Sequence, residues 1–227
     1  MQETLNFGLN QKKAVLDLLS KFEEAKVTNY FEEKRVKYKD CTITLYSSGR
    51  LSIQGKNASL VKDEFLSMLG LKRELVIGID EVGRGENFGP LVVCGVLADS
   101  NSLLELRDSK KINAIQSKAS LVSEKMLASV HVVVNAELLD YLRNSGKTIN
   151  DVEAIAIDKI AELLSNFADA KIIVDGAPIK TSFTKLFFLP KADDLEPVVG
   201  AASVLAKKYR DESKDKKKRM TWNNKNV

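Results

Sequence analysis

Residues 75–97, LVIGIDEVGRGENFGPLVVCGVL, decide the fold of the larger part of this chain. Two runs rich in β-branched residues, 75–79 and 91–97, enclose an acidic pair and a glycine-rich turn. Such runs predict two buried strands. Charge placed between buried strands costs free energy of folding, and a functional role would account for such a cost. Asp80 and Glu81 are therefore the first candidate functional residues.

The composition of the 227 residues is that of a globular protein, because 44% are hydrophobic and 29% are charged. At ~100–200 residues per domain, the length allows one large or two small domains. No apolar run approaches the ~20 residues of a membrane-spanning helix, and the amino terminus lacks the regions of a signal peptide. We therefore expect a cytoplasmic protein that does not contact membranes.

The net charge of +4 is unevenly distributed. Residues 1–73 carry a net +4, residues 74–206 carry −6 and residues 207–227 carry +6. A polyanion held at the basic ends, with cations held by central carboxylates, would account for this pattern. An ordinary solvated surface accounts for it equally well.

Cysteine and histidine chemistry is poorly supported. Cys41 and Cys94 each fall in a predicted strand of a long chain, which favours buried free thiols over a disulfide or a metal site. The single histidine, His131, lies in an apolar run, where a packed or edge-strand role is expected. Zinc sites, serine triads and histidine relays are therefore disfavoured.

Hydrophobic periodicity predicts a small α+β module followed by a mixed sheet covered by helices on both faces. The module is expected to contain a helix over 9–25 capped by Asn10, a hairpin of strands 41–46 and 51–54, and a helix over 58–69 that stops at Gly70. The second part is expected to contain strands 75–80, 88–97, 130–135, 171–175 and 186–189, with helices near 114–128, 150–167 and 196–211.

Further acids stand at the ends of these predicted elements. Asp175 ends the strand 171–175, and Asp193 and Asp194 precede the last helix. Two carboxylates about 4 Å apart repel by ~4 kcal/mol at an effective dielectric of 20, and a divalent cation reverses that sign. Oxygen ligands alone suit Mg²⁺ or Mn²⁺. Each acid taken singly is still better explained as a turn or helix-cap residue.

The glycine-rich turn does not indicate a nucleotide cofactor. The spacing Gly83-x-Gly85-x-x-x-Gly89 differs from the dinucleotide-binding pattern, lies between strands, and is not followed by a phosphate-binding lysine. Glycines do allow backbone groups to approach a ligand closely.

Several ordered motifs resemble those of the type 2 ribonucleases H, the group that contains ribonucleases HII and HIII. They are GIDEVGRG at 78–85 with FGP at 88–90, DSKK at 108–111, VDG at 174–176 and GAASVLAK at 200–207. Residues 41–55, CTITLYSSGRLSIQG, are similar to the TATA-binding-protein-like domain of ribonuclease HIII. The resemblance implies an α/β fold: a ribonuclease H-like catalytic domain over 73–227, with a mixed five-stranded sheet flanked by helices, preceded by a small α+β substrate-binding domain over 1–72.

The resemblance also implies the site residues. The metal-binding catalytic carboxylates would be Asp80, Glu81, Asp175 and Asp193. Asp193 is preferred to Asp194 because it stands eight residues before Ala201, where the fourth acid of the family usually falls. The turn Gly83, Arg84 and Gly85 would recognise the ribose 2′-hydroxyl, largely through backbone groups. Lys110 and Lys111 would contact backbone phosphate, although a solvated lysine pair explains them nearly as well.

The function implied is endonucleolytic hydrolysis of the RNA strand of RNA–DNA hybrids by two-metal catalysis with Mg²⁺ or Mn²⁺, leaving 3′-hydroxyl and 5′-phosphate ends. We expect a monomer that binds the hybrid duplex. Arg84 and Asp193 are more typical of ribonuclease HII, whose specificity includes single ribonucleotides in DNA. About 15 residues follow Glu212 where the family continues into further helices, so the chain is a compact variant or lacks its end. A hybrid-binding protein without catalysis is the remaining alternative.

Overall fold

The computed structural model describes residues 2–106 and 115–222, which contain two five-stranded sheets with separate hydrophobic cores. The first sheet and its helices are β1 (Gln2–Asn6), α1 (Leu9–Leu19), β2 (Glu23–Glu24), β3 (Glu32–Tyr38), β4 (Cys41–Tyr46), β5 (Arg50–Gly55) and α2 (Ala58–Leu69). All pairs are antiparallel, in the spatial order β1-β5-β4-β3-β2. Both helices pack on one face of this sheet.

The first module is richer in strands than its sequence predicts. The hairpin and helix α2 are confirmed, and α2 ends at Gly70 in the left-handed conformation. Helix α1 is shorter than predicted and is capped at Gly8, whose N–H donates to the Gln11 side chain at 2.9 Å, so the predicted Asn10 cap is wrong. Strands β1, β2 and β3 are not predicted from the sequence. In β3 the charged sequence lacks clear alternation.

The second face of the first sheet is polar. Residues of β4 and β5 alternate between the core and this face, and the register places Lys37 opposite Thr42, and Thr42 opposite Gln54. We call it the polar face. Its residues are Gln2, Thr4, Asn6, Arg35, Lys37, Thr42, Thr44, Arg50, Ser52 and Gln54. Lys37, Arg50 and Gln54 are exposed on this face, whereas Thr4, Asn6, Thr44 and Ser52 are buried. The groups that it presents to solvent are therefore mainly two cations and an amide.

The second sheet has the predicted mixed topology. Its elements are β6 (Leu75–Val82), β7 (Leu91–Asp99), a 3₁₀ turn (Ser100–Leu103), α3 (Ile115–Lys125), β8 (Ala128–Val134), α4 (Ala136–Asn144), α5 (Ile149–Ser165), β9 (Lys171–Asp175), β10 (Leu186–Leu189), α6 (Ala192–Leu195) and α7 (Pro197–Glu212). The spatial order is β10-β9-β6-β7-β8. Strands β10, β9 and β6 are parallel, whereas β6, β7 and β8 are antiparallel.

Helices cover both faces of this sheet, as predicted. Helices α3 and α7 pack on one face, and α4 and α5 pack on the other. Helix α7 crosses β6 so closely that a Cβ atom at Gly78 would lie 2.5 Å from the backbone of Val198 and Val199. A glycine in the central strand therefore sets the distance between α7 and the sheet.

Most predicted elements of the second part are confirmed, with shifted ends. Strand β6 continues through Val82, and β7 begins at Leu91 because Gly89 has a φ of 70° in the preceding loop. Helices α4 and α6 were not predicted. Both cysteines are buried free thiols, as expected. His131 lies on the edge strand β8 and stacks on Tyr209 with ring centroids 3.9 Å apart.

The two sheets are joined at the segment after the 3₁₀ turn. Leu104 is 3% exposed and belongs to the core of the first sheet, and its carbonyl accepts the Asn6 N–H at 2.8 Å. Lys62 of α2 pairs with Glu105 at 2.7 Å. None of the helices in the described ranges combines the length and hydrophobicity that a bilayer span requires.

Candidate functional site

Two of the four predicted acids, Asp80 and Asp175, lie side by side at the carboxyl end of the second sheet. Asp80 lies near the end of β6, and Asp175 ends the neighbouring parallel strand β9. The register pairs Ile79 with Val174, which brings Asp175 beside Asp80. Asp175 Oδ1 accepts the Ala192 N–H at 2.5 Å, and this bond brings the next residue, Asp193, to the same end of the sheet.

Strand alternation divides these carboxylates between two faces. Asp80 follows Gly78 on the face covered by α7, where Ser203 bonds to it, and Asp175 lies on the same face. Glu81 lies on the face covered by α5. The turn does not bring Glu81 beside Asp80, since β6 remains a strand through Val82.

Burial and mutual repulsion make the acidic pair weaker acids than usual. Burial, with repulsion from Glu81 and Asp175, raises the pKa of Asp80 to about 7, although bonds from Ser203 and the Glu81 N–H oppose the shift. Burial, with repulsion from Glu153 and Asp175, likewise raises the pKa of Glu81 to about 7. The three carboxylates therefore form one electrostatically coupled group, which an added cation would stabilise.

The donor chemistry of the group fits a hard divalent cation. Asp80, Glu81 and Asp175 offer carboxylate oxygens without a thiolate or imidazole, which is the ligand type of Mg²⁺ and Mn²⁺. Within residues 2–106 and 115–222, no three His, Cys, Asp or Glu side chains converge closely enough to ligate one ion as they stand. They do not converge because Asp80 and Glu81 lie on opposite faces of the sheet.

A buried glutamate that sequence reasoning missed borders the site. The Glu153 side chain, on the first turns of α5, is 3% exposed, and its Oε2 lies 3.0 Å from Arg84 Nη1. Arg84 Nη2 also donates to Asn150 Oδ1 at 2.6 Å. The Arg84 side chain is thus directed toward α5 and fixes the glycine-rich turn to that helix. An acid in the first turns of a predicted helix was the only sequence clue, and caps account for most such acids.

The glycine turn has one packed position and one open position. Gly83 has a φ of 88°, and a Cβ atom there would lie 2.4 Å from the Pro90 carbonyl oxygen. At Gly85 an added Cβ would meet no atom within 4 Å. A ligand can therefore approach the backbone at Gly85. Lys110 and Lys111 fall outside the described residues.

The chain matches known proteins over both of its parts. Residues 77–226 match the family model described as ribonuclease HII. Ribonuclease HII of Methanobrevibacter smithii is 34% identical over 154 residues, covering 60% of this chain and 72% of the relative. The chain belongs to the ribonuclease HII family. Membership makes it an endoribonuclease, a hydrolase of phosphodiester bonds.

Relatives within the type 2 ribonucleases H also include ribonucleases HIII. Ribonuclease HIII of Bacillus pumilus is 28% identical over 228 residues, covering 76% of this chain and 69% of the relative. The crystal structure of Bst-RNase HIII in complex with Mn²⁺ superposes with a TM-score of 0.57 at 22% identity, covering 93% of this chain and 81% of that one. This likeness extends over both sheets and agrees with a TATA-binding-protein-like fold for the first.

The ion pair between Arg84 and Glu153 gives a stability prediction. Replacing Arg84 by methionine should destabilise this ribonuclease by about 1–3 kcal/mol near pH 8, because a buried carboxylate loses its cation. This loss of stability is smaller than that expected for a fully buried ion pair, because the Arg84 side chain is 36% exposed. Urea unfolding measures the change.

The pH dependence of this effect and a double variant provide the controls. Burial raises the pKa of Glu153 while Arg84 lowers it, so losing Arg84 raises it further. A carboxyl whose pKa is higher in the folded state than in the unfolded state takes up a proton on folding. Its destabilising effect is complete above the folded-state pKa and disappears below the unfolded-state pKa. The R84M penalty should therefore shrink as the pH is lowered toward the ordinary pKa of a glutamate, about 4.3. R84M/E153Q should recover most of the loss, and an equal penalty in both variants would contradict the role of the pair.

Proposed function

We propose that this ribonuclease cleaves the RNA strand of RNA–DNA hybrids with two divalent cations, Mg²⁺ or Mn²⁺, as cofactors. The observation that carries the proposal is the meeting of Asp80 and Asp175 on one face of the sheet, with Glu81 electrostatically coupled to them. The open backbone at Gly85 lies four residues from Glu81. The Mn²⁺ complex of Bst-RNase HIII supports the choice of cation.

Asp80, Glu81, Asp175 and Asp193 would hold the cations. When bound, the cations activate water for attack on the phosphodiester and stabilise the leaving oxygen. The chain orients its acids through neighbouring donors: the Glu81 N–H donates to Asp80 Oδ1 at 2.8 Å, and the Ala192 N–H donates to Asp175. Ser203 also bonds to Asp80, so these donors orient the carboxylates that would hold the cations.

Recognition of the ribose is assigned in this proposal to the turn Gly83, Arg84 and Gly85. Because the Arg84 guanidinium is engaged by Asn150 and Glu153, Arg84 would take part through its backbone rather than through a phosphate contact. Backbone donors and acceptors near Gly85 can bond the 2′-hydroxyl, which DNA lacks. Lys110 and Lys111 would contact the phosphate backbone.

We further propose that residues 1–72 form the substrate-binding domain and residues 73–227 the catalytic domain, acting as a monomer. The separate cores support this division, with Leu104 as the residue of the second part that belongs to the first core. The polar face, with Arg50 and Lys37 exposed on it, would bind the duplex and add affinity rather than sequence preference. This architecture favours stretches of RNA, as in ribonuclease HIII.

Two substrates test the proposal with the full chain and Mg²⁺ or Mn²⁺. We expect a uniform RNA–DNA hybrid to be cut within its RNA strand, leaving 3′-hydroxyl and 5′-phosphate ends. Duplex DNA with one embedded ribonucleotide should be cut much more slowly. Equal cleavage of both substrates would indicate specificity of the ribonuclease HII type, and hybrid binding without any product would indicate a non-catalytic protein.

A further inference from the structure

The segment after α7 folds back along the loop that follows the glycine turn. We call residues 213–222 the tail segment and residues 86–90 the turn-exit loop. The Gly89 N–H donates to the Lys217 carbonyl at 2.8 Å, and the Arg219 N–H donates to the Asn87 carbonyl at 2.8 Å. Phe88 and Lys218 form an antiparallel bridge between these two bonds. The tail segment therefore pairs with the turn-exit loop like an added strand.

Arg219 is the most deeply buried cation of this contact. It is 3% exposed, its Nε donates to the Gly89 carbonyl at 2.8 Å, and its Nη1 donates to the Glu86 carbonyl at 2.8 Å. Charge-assisted bonds of this kind are stronger than bonds between neutral groups, and a guanidinium holds its donors in a fixed plane. Arg219 thus fixes the spacing of two carbonyls in the turn-exit loop.

A second arginine holds the same loop from α7. Arg210 Nη2 donates to Glu86 Oε2 at 2.5 Å and to the Phe88 carbonyl at 3.3 Å. Its Nε donates to the Pro90 carbonyl at 3.4 Å. A Cβ atom at Gly83 would lie 2.4 Å from the Pro90 carbonyl oxygen and 2.8 Å from Arg210 Nε, so the turn packs on both the turn-exit loop and Arg210.

The tail segment is itself anchored to α4. Asp215 accepts the N–H of Ala136, the first residue of α4, at 2.7 Å, and Asp140 accepts the Met220 and Thr221 N–H groups at 2.7 and 2.9 Å. These anchors lie on both sides of Arg219 in the chain. They hold Arg219 in place independently of the loop that it contacts.

We propose that Arg219 is a positioning residue that fixes the turn Gly83–Gly85 for recognition of the substrate ribose. The role rests on the proposed cleavage of RNA–DNA hybrids, because that is where the turn approaches the substrate. Arg219 itself is buried and would act through the Glu86 and Gly89 carbonyls. The lysine-rich sequence around it would otherwise suggest only a solvated basic segment.

Hydrogen exchange of the full chain tests the structural half of this proposal. In Arg219→Met the apolar stem remains and the donors are lost, so the Glu86 and Gly89 amides should exchange about tenfold faster. Exchange in β6, β7 and the first sheet should be unchanged, as should all exchange in the control Lys216→Met, which alters an exposed residue of the tail segment. Unaltered exchange over 83–90, or an acceleration throughout the chain, would overturn the proposal.

Kinetics test the functional half. For Arg219→Met, kcat on a uniform hybrid should fall about 10–100-fold, as expected for a misplaced site, while the Kd for the hybrid stays within about threefold. The preference for ribose over 2′-fluororibose at the cleaved position should shrink, and Arg219→Lys should restore part of it. Wild-type kcat and preference in Arg219→Met would overturn the positioning role. An inactive wild-type chain would instead contradict the proposed function. Hydrogen exchange would still decide whether Arg219 fixes the turn-exit loop.

Discussion

Replacing Asp80 by asparagine should reduce hydrolysis of an RNA–DNA hybrid by about 10³-fold or more in Mg²⁺. The amide keeps the size of the side chain but cannot supply the negative charge that a divalent cation needs. Because the substrate is bound mainly through the polar face and the glycine turn in this proposal, the Kd for the hybrid should change by about twofold at most. Single-turnover cleavage and fluorescence anisotropy measure the two quantities.

The same variant should remain folded. Burial raises the pKa of Asp80 to about 7, so its ionised form is a cost to the metal-free protein above that pH. An asparagine there removes repulsion toward Glu81 and Asp175, so urea unfolding without metal should reveal no loss of stability. The control Asp169→Asn alters an exposed acid before the opposite end of β9 and should retain wild-type activity. Undiminished cleavage by D80N would refute the assignment of Asp80.

The double variant Arg50→Ala/Lys37→Ala should weaken hybrid binding by about 10–100-fold at low salt. Both residues are exposed on the polar face, and each is expected to neutralise one phosphate. The slope of log Kd against log salt should therefore fall in magnitude by about 2. A salt titration of hybrid binding measures the slope, and kcat at saturating substrate should remain near the wild-type value.

The matched control removes two cations from the helix-covered side of the same sheet. Lys13 and Lys21 are exposed on and just after α1, so Lys13→Ala/Lys21→Ala makes the same change in net charge. This control should reduce affinity much less, and equal losses in both variants would assign binding to net charge rather than to the polar face. Deleting residues 1–70 is a less clean test, because it exposes Leu104, which is buried in the first core.

Short-range patterns predicted much of the fold. Helix α2 follows from the helical spacing of its apolar residues and from Gly70 at its end, and β9 and β10 follow from their short apolar runs. Strand β3 does not follow from such a pattern, since its sequence EEKRVKY is dominated by charge. It is a strand because β4 pairs with it along Lys37–Thr42 and Arg35–Thr44. Strand β4 follows β3 across the two-residue turn Lys39–Asp40, so β3 is defined by its hairpin partner rather than by a pattern in its own residues.

The candidate site divides in the same way. By itself the sequence determined which acids stand at strand ends, and its family motifs predicted that Asp80, Glu81 and Asp175 belong to one site. Only the tertiary structure decided that Glu81 faces α5, where Glu153 is buried against Arg84, and that Arg219 bonds the carbonyls beyond the glycine turn. Glu153 and Arg219 find their partners 69 and 130 or more residues away, so packing of distant elements, not local spacing, selects these contacts.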